Sequence, residues 1–311
     1  MMSKWKNQTT ITEFILLGLG NLQEFELQML ISCAFLLIYI FTLIGNYLII
    51  VVTVANPTLH TPMYFFLRIL SFLDICYSSV TIPKILLNLL TEDKSISYLG
   101  CAAQMYFLLS LGAAECVLLA VMAYDRYMAI CHPLVYMVHM NPRVCLSLSL
   151  LSVLSGSLVS SVQTIWVFTL PFCSSNMIDY FFCDIPPLLK LSCIDTSMFE
   201  IQLLTASVLV ILTPFILILV SYSLIICSIL AVTSGEGKWK TFSTCSSHIM
   251  VVILYYGIST LIYIKPQSIF SKDSSKILAL IYTTITPMLN PAIYSIRNKE
   301  IQRALKKQIG E

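Results

Sequence analysis

The most restrictive feature of this sequence is a series of long segments that contain no charged side chain. Leu27–Leu67, Val144–Ile178 and Ile201–Gly235 lack Lys, Arg, Asp and Glu, and each is 35 to 41 residues long. A helix that crosses a bilayer needs about 20 mainly apolar residues. Each segment is therefore long enough for a membrane-spanning helix and a connecting loop.

The composition supports a membrane protein and excludes several other classes. Of the 311 residues, 58% are hydrophobic and 11% are charged, whereas about 25% are charged in an ordinary soluble domain. The abundance of apolar side chains excludes a disordered chain. The net charge of +2 argues against a strongly basic nucleic-acid-binding protein.

Turn signals divide the apolar segments into helices. Asn56-Pro57, Asn141-Pro142 and Lys265-Pro266 mark breaks, because a proline disfavours helix at the residue before it. The segments lack the period-two alternation of a membrane β-barrel. We therefore predict an all-α membrane fold with seven spanning helices, at Leu27–Val54, Pro62–Leu90, Ser97–Ile130, Arg143–Phe168, Ser197–Leu230, Lys238–Ile264 and Asp273–Ile296.

The residues after the seventh span predict a short amphipathic helix, Arg297–Ile309. Ile301, Ala304 and Leu305 fall on one face. The cations of the opposite face are Arg303, Lys306 and Lys307. Such a helix lies along a membrane surface with its cations near anionic lipid, so membrane lipid is an expected partner.

Three cues predict that the N-terminus lies outside the cell. Lys and Arg are slightly enriched on the side that would then face the cytoplasm. Asn7-Gln8-Thr9 is a glycosylation sequon, which is used only on the outer side. The four cysteines that fall on that side are Cys101, Cys173, Cys183 and Cys193. Disulfides persist on the oxidising face of a membrane, and the cysteines allow three pairings.

Two carboxylates lie in the middle of predicted spans, Asp74 in span two and Glu115 in span three. In one interpretation they are structural polar groups that hydrogen-bond to Asn46 and Asn290. In the other they form a cation or proton site that responds to helix movement, because two nearby carboxylates in a low dielectric cannot both stay charged alone. Both a sodium ion and a proton remain open, and no other metal site is predicted.

Five motifs follow one another along the chain. They are GN at Gly45-Asn46, LHTPMYFFL at Leu59–Leu67, MAYDRYMAICHPL at Met122–Leu134, KTFSTCSSH at Lys240–His248 and PMLNPAIYSIRN at Pro287–Asn298. With these motifs the sequence resembles the olfactory receptors, a branch of the rhodopsin-like G-protein-coupled receptors, and specifically the tetrapod-type (class II) members. The resemblance covers nearly the whole chain. It implies an extracellular N-terminus at 1–26, a seven-transmembrane receptor domain at 27–296, and a cytoplasmic helix and tail at 297–311, in a multi-pass protein of the plasma membrane.

The resemblance also implies a signalling switch at the inner end of the bundle. Arg126 paired to Asp125 would hold the inner face closed until span six swings outward and frees it for a G protein. The residues implied for this switch are Asp125, Arg126, Tyr127, Tyr222, His248, Asn290, Pro291 and Tyr294. The implied partner is a heterotrimeric stimulatory (olfactory-type) G protein that raises cyclic AMP, and a trafficking chaperone is a further expected partner.

The implied ligand is an odorant small molecule bound between the outer ends of spans three, five, six and seven. Its site would be lined by Leu108, Leu109, Gly112, Ala113, Ala206, Ser207, Val210, Tyr256, Ser259, Thr260, Tyr263, Leu280 and Thr283. No residue of this set is charged, so we expect a neutral, mostly apolar ligand. The resemblance also implies two disulfides, Cys101–Cys183 and Cys173–Cys193.

A transporter and an enzyme would each require features that differ from those of a receptor. A transporter would show paired repeats with broken helices, and no similarity between the two halves is apparent. An enzyme would need a nucleophile–base pair or a metal set, and none is recognisable in the sequence. We therefore expect a receptor and not an enzyme.

Overall fold

The computed structural model describes residues 11–18, 25–173, 175–231, 235–264 and 272–309. Seven helices in this part of the chain are long and apolar enough to cross a membrane. They are Phe25–Ala55, Pro62–Leu90, Tyr98–Cys131, Pro142–Phe168, Ser197–Ala231 (with one interruption), Gly235–Tyr263 and Lys272–Arg297, and we call them spans one to seven. The predicted seven-helix membrane fold is confirmed.

Side-chain caps define several helix ends. These ends lie within a few residues of the predicted ones. The Ser97 hydroxyl accepts a hydrogen bond from the Gly100 amide at 3.1 Å, so span three begins at Tyr98. The Asn141 side chain accepts from the amides of Arg143 and Val144 and starts span four at Pro142. Serine and asparagine favour these positions because they satisfy amides that have no partner within the helix.

Span five is not one regular helix. Its pieces are Ser197–Ser207, a π-helical turn at Val208–Leu212, and Thr213–Ala231. Pro214 follows the turn and has no amide hydrogen, so the carbonyl of Val210 loses its usual partner four residues later. A single π turn inside an α-helix redirects the side chains around it.

A small sheet covers one end of the bundle. Strand β1, Glu13–Leu16, lies between β2, Ser95–Ser97, with which it is antiparallel, and β3, Met177–Ile178, with which it is parallel. Phe14 and Leu16 of β1 are completely buried. The sheet ties the segment before span one to the long loop after span four.

Two disulfides lie at the same end, which we call the disulfide end. Cys101 at the start of span three is bonded to Cys183, with Cα atoms 5.4 Å apart. Cys173 is bonded to Cys193, with Cα atoms 5.3 Å apart. These are the pairs implied by the resemblance. The first bond holds the loop, including a short helix at Ile185–Leu189, against span three.

Span three is the central helix, and span four packs against it closely. A Cβ atom at Gly156 would lie 2.4 Å from the carbonyl oxygen of Ser110. Only glycine permits this approach, because any side chain there would overlap the backbone of span three. The close packing brings the half of span four nearest the disulfide end next to residues 108–113.

The opposite end of the bundle carries the Asp125-Arg126-Tyr127 motif and is called the tail end. A short helix at Pro133–His139 follows span three there. The tail helix is Lys299–Ile309, so it begins two residues after the predicted start at Arg297. The reason is Asn298, whose side-chain oxygen accepts from the amides of Glu300 and Ile301 and starts a new helix.

The tail helix is amphipathic, as its sequence predicts. Ile301 and Ala304 are buried, whereas Arg303, Lys306 and Lys307 are exposed. The Tyr64 hydroxyl of span two donates to the Glu300 carboxylate at 2.7 Å. The tail helix is therefore fixed to the bundle by both apolar packing and a hydrogen bond.

Candidate functional site

A cavity of about 80 Å³ lies inside the bundle near the disulfide end. Side chains from spans two to seven line it, and Ile185 of the loop helix covers it. The volume exceeds several-fold the roughly 10–15 Å³ that one buried water occupies. An interior space between helices with few polar groups is typical of a small-molecule site.

Nine of the thirteen residues that the resemblance implied line this one cavity. They are Leu108, Leu109, Gly112, Ala113, Ala206, Ser207, Val210, Ser259 and Tyr263. No Asp, Glu, Lys, Arg or His is among the lining side chains of the described residues. The expected uncharged wall is therefore present.

The structure places the other four residues outside the cavity lining. Tyr256 is buried and donates to the carbonyl of Cys116 at 2.7 Å. The Thr283 hydroxyl donates to the carbonyl of Ala279 in its own helix. Thr260 and Leu280 are half-buried and do not line the cavity either.

Their neighbours line the cavity instead, because successive helix residues point about 100° apart. Tyr255 and Tyr282 take the places expected for Tyr256 and Thr283. Together with Tyr77 of span two they form an aromatic wall, in which the Tyr255 and Tyr282 ring centroids are 5.3 Å apart. The Tyr255 hydroxyl donates to the carbonyl of Gly112 at 2.5 Å.

Span four contributes a polar group that the sequence analysis did not include. Gln163 is buried and lines the cavity together with Val159. Its amide makes no hydrogen bond to another described residue, and the same holds for the hydroxyl of Ser207. An amide offers both donors and acceptors. The signal that could have found Gln163 is that it carries the only side-chain amide of span four.

Asp184 lies directly behind the covering residue Ile185 and is completely buried. Its carboxylate accepts from the Ile185 amide at 2.8 Å and from the hydroxyl of the lining residue Tyr263 at 3.4 Å. Burial raises the pKa of Asp184 to about 6, although both hydrogen bonds lower it. An aspartate before Ile-Pro-Pro is a recognisable helix start, and the sequence analysis passed over it.

The buried cluster near the middle of the bundle brings spans one, two, three and seven together. Both carboxylate oxygens of Asp74 accept from the Asn290 amide, at 3.1 and 3.0 Å. Asn46 donates to backbone carbonyls of Thr42 and Pro287 and to neither carboxylate. The structural interpretation therefore holds for Asp74 through Asn290, whereas neither Asn46 nor Asn290 donates to Glu115.

Three buried oxygens in this cluster lack a hydrogen-bond partner. They are the Oε1 atom of Glu115 and the side-chain oxygens of Asn46 and Asn290. Oxygen ligands of this kind suit a hard cation. Among the described residues, no group of three His, Cys, Asp or Glu side chains gathers as a metal site of that composition would.

The tail end differs from the implied arrangement in one contact. The Asp125 carboxylate accepts from the hydroxyl of Tyr136 at 2.8 Å. Among the described residues the only ion pair joins Lys276 and Asp179, so the implied Asp125–Arg126 pair is not formed. Adjacent helix residues do not face each other, and Asp125 points toward the short helix Pro133–His139.

The other implied switch residues surround Arg126. The Tyr222 hydroxyl and the Nδ1 atom of His248 are 2.7 Å apart. The charge of Arg126 acts on Tyr222, His248 and Tyr294. Tyr294 is buried and its hydroxyl has no hydrogen-bond partner. Spans three, five, six and seven thus meet around one cation.

Three implied residues lie apart from this group, and one of them is Asn290, which binds Asp74 in the buried cluster. The Tyr127 hydroxyl is 2.9 Å from the Nε2 atom of His132. Pro291 lies inside span seven and packs against Gly45 of span one, where an added Cβ would be 3.0 Å from the proline ring. The sequon at Asn7 falls outside the described residues.

Comparisons with known proteins agree with these observations. The sequence profile of the olfactory receptor family matches residues 35–311. Human Olfactory receptor 10A7 is 51% identical over 98% of this chain and 96% of its own length. Human Olfactory receptors 10A5 and 10A4 are each 53% identical, over 97% and 98% of this chain and 95% and 96% of their own lengths.

Proposed function

The chain belongs to the olfactory receptor family, and from that premise we propose how it recognises its ligand and passes on the signal. Members of this family are multi-pass membrane receptors and not enzymes. They respond to small odorant molecules and couple to G proteins. The cavity near the disulfide end is the proposed ligand site.

The observation that carries this proposal is a partly open cavity with an uncharged lining. Its walls are mostly apolar and aromatic, and the polar groups in them that make no hydrogen bond to another described residue include the Gln163 amide and the hydroxyls of Ser207 and Tyr77. An odorant carboxylate or ammonium group would be buried without an opposite charge, which is costly. The ligand class is therefore a small, mostly apolar, neutral molecule with one or two hydrogen-bonding groups.

The nearby carboxylate of Asp184 does not change this class. It lies behind Ile185 and already accepts hydrogen bonds from the Ile185 amide and the Tyr263 hydroxyl. A bound amine would have to displace Tyr263 to reach it. The carboxylate instead holds the covering loop helix against span six.

The proposed signal leaves the bundle at the tail end. Ligand binding favours a state in which span six moves outward, and a ligand shifts this equilibrium only by binding one state more tightly. The contact between Tyr222 and His248 joins spans five and six beside Arg126 and must rearrange. Arg126 then meets a stimulatory G protein, and cyclic AMP rises.

The proposed location is the plasma membrane with the N-terminus outside. The disulfide end would face the oxidising side, and Asn7 would be available for glycosylation there. The tail helix would lie on the cytoplasmic surface. Surface delivery with the help of a trafficking chaperone is part of the same proposal.

The buried cluster is proposed to hold a sodium ion or a proton. Asp74, Glu115, Asn46 and Asn290 would supply the oxygens, three of which lack a partner. When bound, the cation would balance one of the two negative charges, and the second carboxyl group would be protonated. The surrounding residues hold spans two, three and seven together around it.

The test is a cyclic AMP assay with an odorant panel, in cells that supply olfactory trafficking helpers. We expect neutral alcohols, ketones or esters to activate the receptor, and Arg126→Ala to abolish the response while surface expression persists. Preferred activation by a short-chain acid or amine would contradict the ligand class. Ligand uptake without nucleotide-dependent signalling would favour a transporter.

A further inference from the structure

A second, larger space lies on the outer surface of the bundle at the tail end. It is a groove of about 470 Å³ between spans one and seven and the tail helix. Its walls include Phe41 and Leu48 of span one, Ala292 and Ser295 of span seven, and Ile301 and Leu305 of the tail helix. The groove is separate from the proposed odorant cavity and shares no lining residue with it.

The groove exists because small residues stand where two helices converge. Gly45 lets span one meet Pro291 of span seven, where a Cβ would be 3.0 Å from the proline ring. Beyond this contact Ala292 and Ser295 leave room that larger side chains would fill. The walls are apolar apart from Ser295, whose hydroxyl points to the carbonyl of Ala292 at 3.5 Å.

The mouth of the groove faces the surroundings of the bundle. Phe41 and Leu48 are 64% and 43% exposed. In a bilayer an apolar groove on this surface is filled by hydrocarbon. An apolar channel of this size fits a chain of methylene groups, and such a chain gains packing contacts there and not a transfer out of water, because lipid tails are as apolar as the groove walls.

The tail helix adds positive charge where the groove ends. Leu305 lines the groove, and Lys306 and Lys307 follow it in the next positions and are exposed. Arg303 is also exposed, and none of these three cations has an ion pair among the described residues. A cation near a membrane surface attracts anionic lipid by about 1 kcal/mol.

We propose that this groove binds one acyl chain of an anionic phospholipid of the leaflet on the tail side, and that Lys306 and Lys307 hold the lipid head group. The apolar walls select a hydrocarbon chain, and the cations select the charge of the head group. Lys306 follows Leu305 about 100° around the tail helix, so its long, flexible side chain starts at the edge of the apolar face that lines the groove. The inference does not depend on which odorant the receptor binds.

The experiment uses the full-length receptor in phosphatidylcholine nanodiscs that contain a trace of a photoactivatable lipid with a diazirine on its acyl chain. The probe is phosphatidylserine in one arm and phosphatidylcholine in the other. After illumination, digestion and mass spectrometry, we expect phosphatidylserine crosslinks on peptides that carry Leu48 or Ala292. Each cation contributes about 1 kcal/mol, so Lys306→Gln should lower the phosphatidylserine yield about fivefold.

Matched variants separate the two parts of the proposal. Arg143→Gln removes an exposed cation of the same end, and should leave the yield unchanged. Leu48→Trp, at the half-exposed mouth, should lower the groove crosslinks of both lipids, whereas Leu150→Trp at an exposed position of span four should not. Equal groove yields for the two lipids together with no effect of Lys306→Gln would overturn the anionic-lipid site. Crosslinks that avoid Leu48 and Ala292 would overturn the groove itself.

Discussion

Asp184 shows how one buried side chain changes the description of the ligand site. Sequence reasoning described an uncharged pocket, and the lining is uncharged, yet a carboxylate lies one residue behind it. The carboxylate is engaged by the Ile185 amide and the Tyr263 hydroxyl. Because Tyr263 also lines the cavity, Asp184 orients a ligand-facing side chain without facing the ligand.

The raised pKa of Asp184 predicts the direction in which the stability of the folded receptor changes with pH. Burial raises this pKa from 3.8 to about 6, so the folded state binds the proton more tightly than the unfolded state. The stability contributed by protonation is present below the unfolded pKa and is lost as the pH rises through about 6. Asp184→Asn should therefore raise the free energy of unfolding by at most about 3 kcal/mol at neutral pH.

The measurement is the melting temperature of the purified receptor between pH 4.5 and 7. The melting temperature of Asp184→Asn relative to the wild type should increase across this range. Asp195 is a matched control in the same loop, because hydrogen bonds from Ser197 lower its pKa and the sign reverses. A difference between Asp184→Asn and the wild type that does not change with pH would refute the prediction.

Single residues were also where sequence reasoning failed most often. In a soluble helix the polar face shows which residues point inward. In a membrane helix the lipid-facing and inward-facing residues are both apolar, so this signal is weak. Tyr255 and Tyr256 are both large, aromatic and buried. Only the structure shows that Tyr255 lines the cavity and that Tyr256 forms a tether, that is, a hydrogen bond from span six to span three.

The tether formed by Tyr256 affects span six as a whole, because it links this helix to span three. The Tyr256 hydroxyl donates to the Cys116 carbonyl of span three at 2.7 Å. An outward movement of span six would break this bond, so the bond favours the inactive arrangement. A hydrogen bond of this type contributes about 1 kcal/mol.

Tyr256→Phe should therefore raise basal cyclic AMP production about fivefold at equal surface expression. The matched control is Tyr39→Phe, which removes a hydroxyl 3.0 Å from Ser79 between spans one and two. That variant should keep the basal level of the wild type. An unchanged or reduced basal level in Tyr256→Phe would show that the tether does not restrain activation.

The proposed cation site in the buried cluster leads to a prediction about what holds spans two, three and seven together. If a sodium ion joins Asp74 and Glu115, it favours the arrangement in which those spans lie close together. Replacing sodium by N-methylglucamine should raise basal nucleotide exchange on a purified G protein. Glu115→Gln should remove this sodium dependence. Equal sodium dependence in the wild type and Glu115→Gln would show that Glu115 does not hold the ion. No sodium dependence in the wild type would exclude the cation and leave a proton as the alternative.

The spans themselves could be predicted from the sequence, because a segment without charged residues is a signal that extends over many residues and Asn-Pro pairs mark where it breaks. Helix ends shifted by a few positions where a cap such as Asn298 overrides the hydrophobic pattern. Strand β1 was missed, since Glu13–Leu16 is too short for a period-two pattern and depends on partners distant in the chain. The π turn of span five needs Pro214, but its exact residues follow from tertiary packing.

At the scale of the whole molecule, the proposed recognition site and the proposed signalling site lie at opposite ends of one bundle. The disulfides, the small sheet and the loop helix close the cavity at one end. Arg126, Tyr222, His248 and Tyr294 meet at the other. Spans three and six run the full distance between the two ends, and Tyr255 and Tyr256 join them midway.

The closure of the cavity depends on Cys101–Cys183. Replacing both cysteines by alanine should reduce surface expression, because the loop that carries Ile185 would no longer be held against span three. Loss of a native disulfide costs roughly 2–5 kcal/mol in small secreted domains. Flow cytometry with an N-terminal tag measures the effect. Cys33→Ala, at an exposed free cysteine, is the control that should reach the surface normally.

The central claim is that the cavity is the odorant site of a signalling receptor, and Gly112→Ala tests it most directly. A Cβ atom there would lie 3.6 Å from the Tyr255 hydroxyl and 3.7 Å from the Tyr77 ring, so it fills cavity space without a clash. Gly257→Ala is the matched control, because a Cβ at Gly257 meets nothing within 4 Å.

The measurement is a set of cyclic AMP dose–response curves for neutral odorants of increasing size, at equal surface expression. Overfilling a close-packed site costs about 1–3 kcal/mol, so Gly112→Ala should weaken the largest active odorants about tenfold and spare the smallest. Gly257→Ala should keep the order and potency of the wild type. Identical rank orders in Gly112→Ala, Gly257→Ala and the wild type would contradict the account.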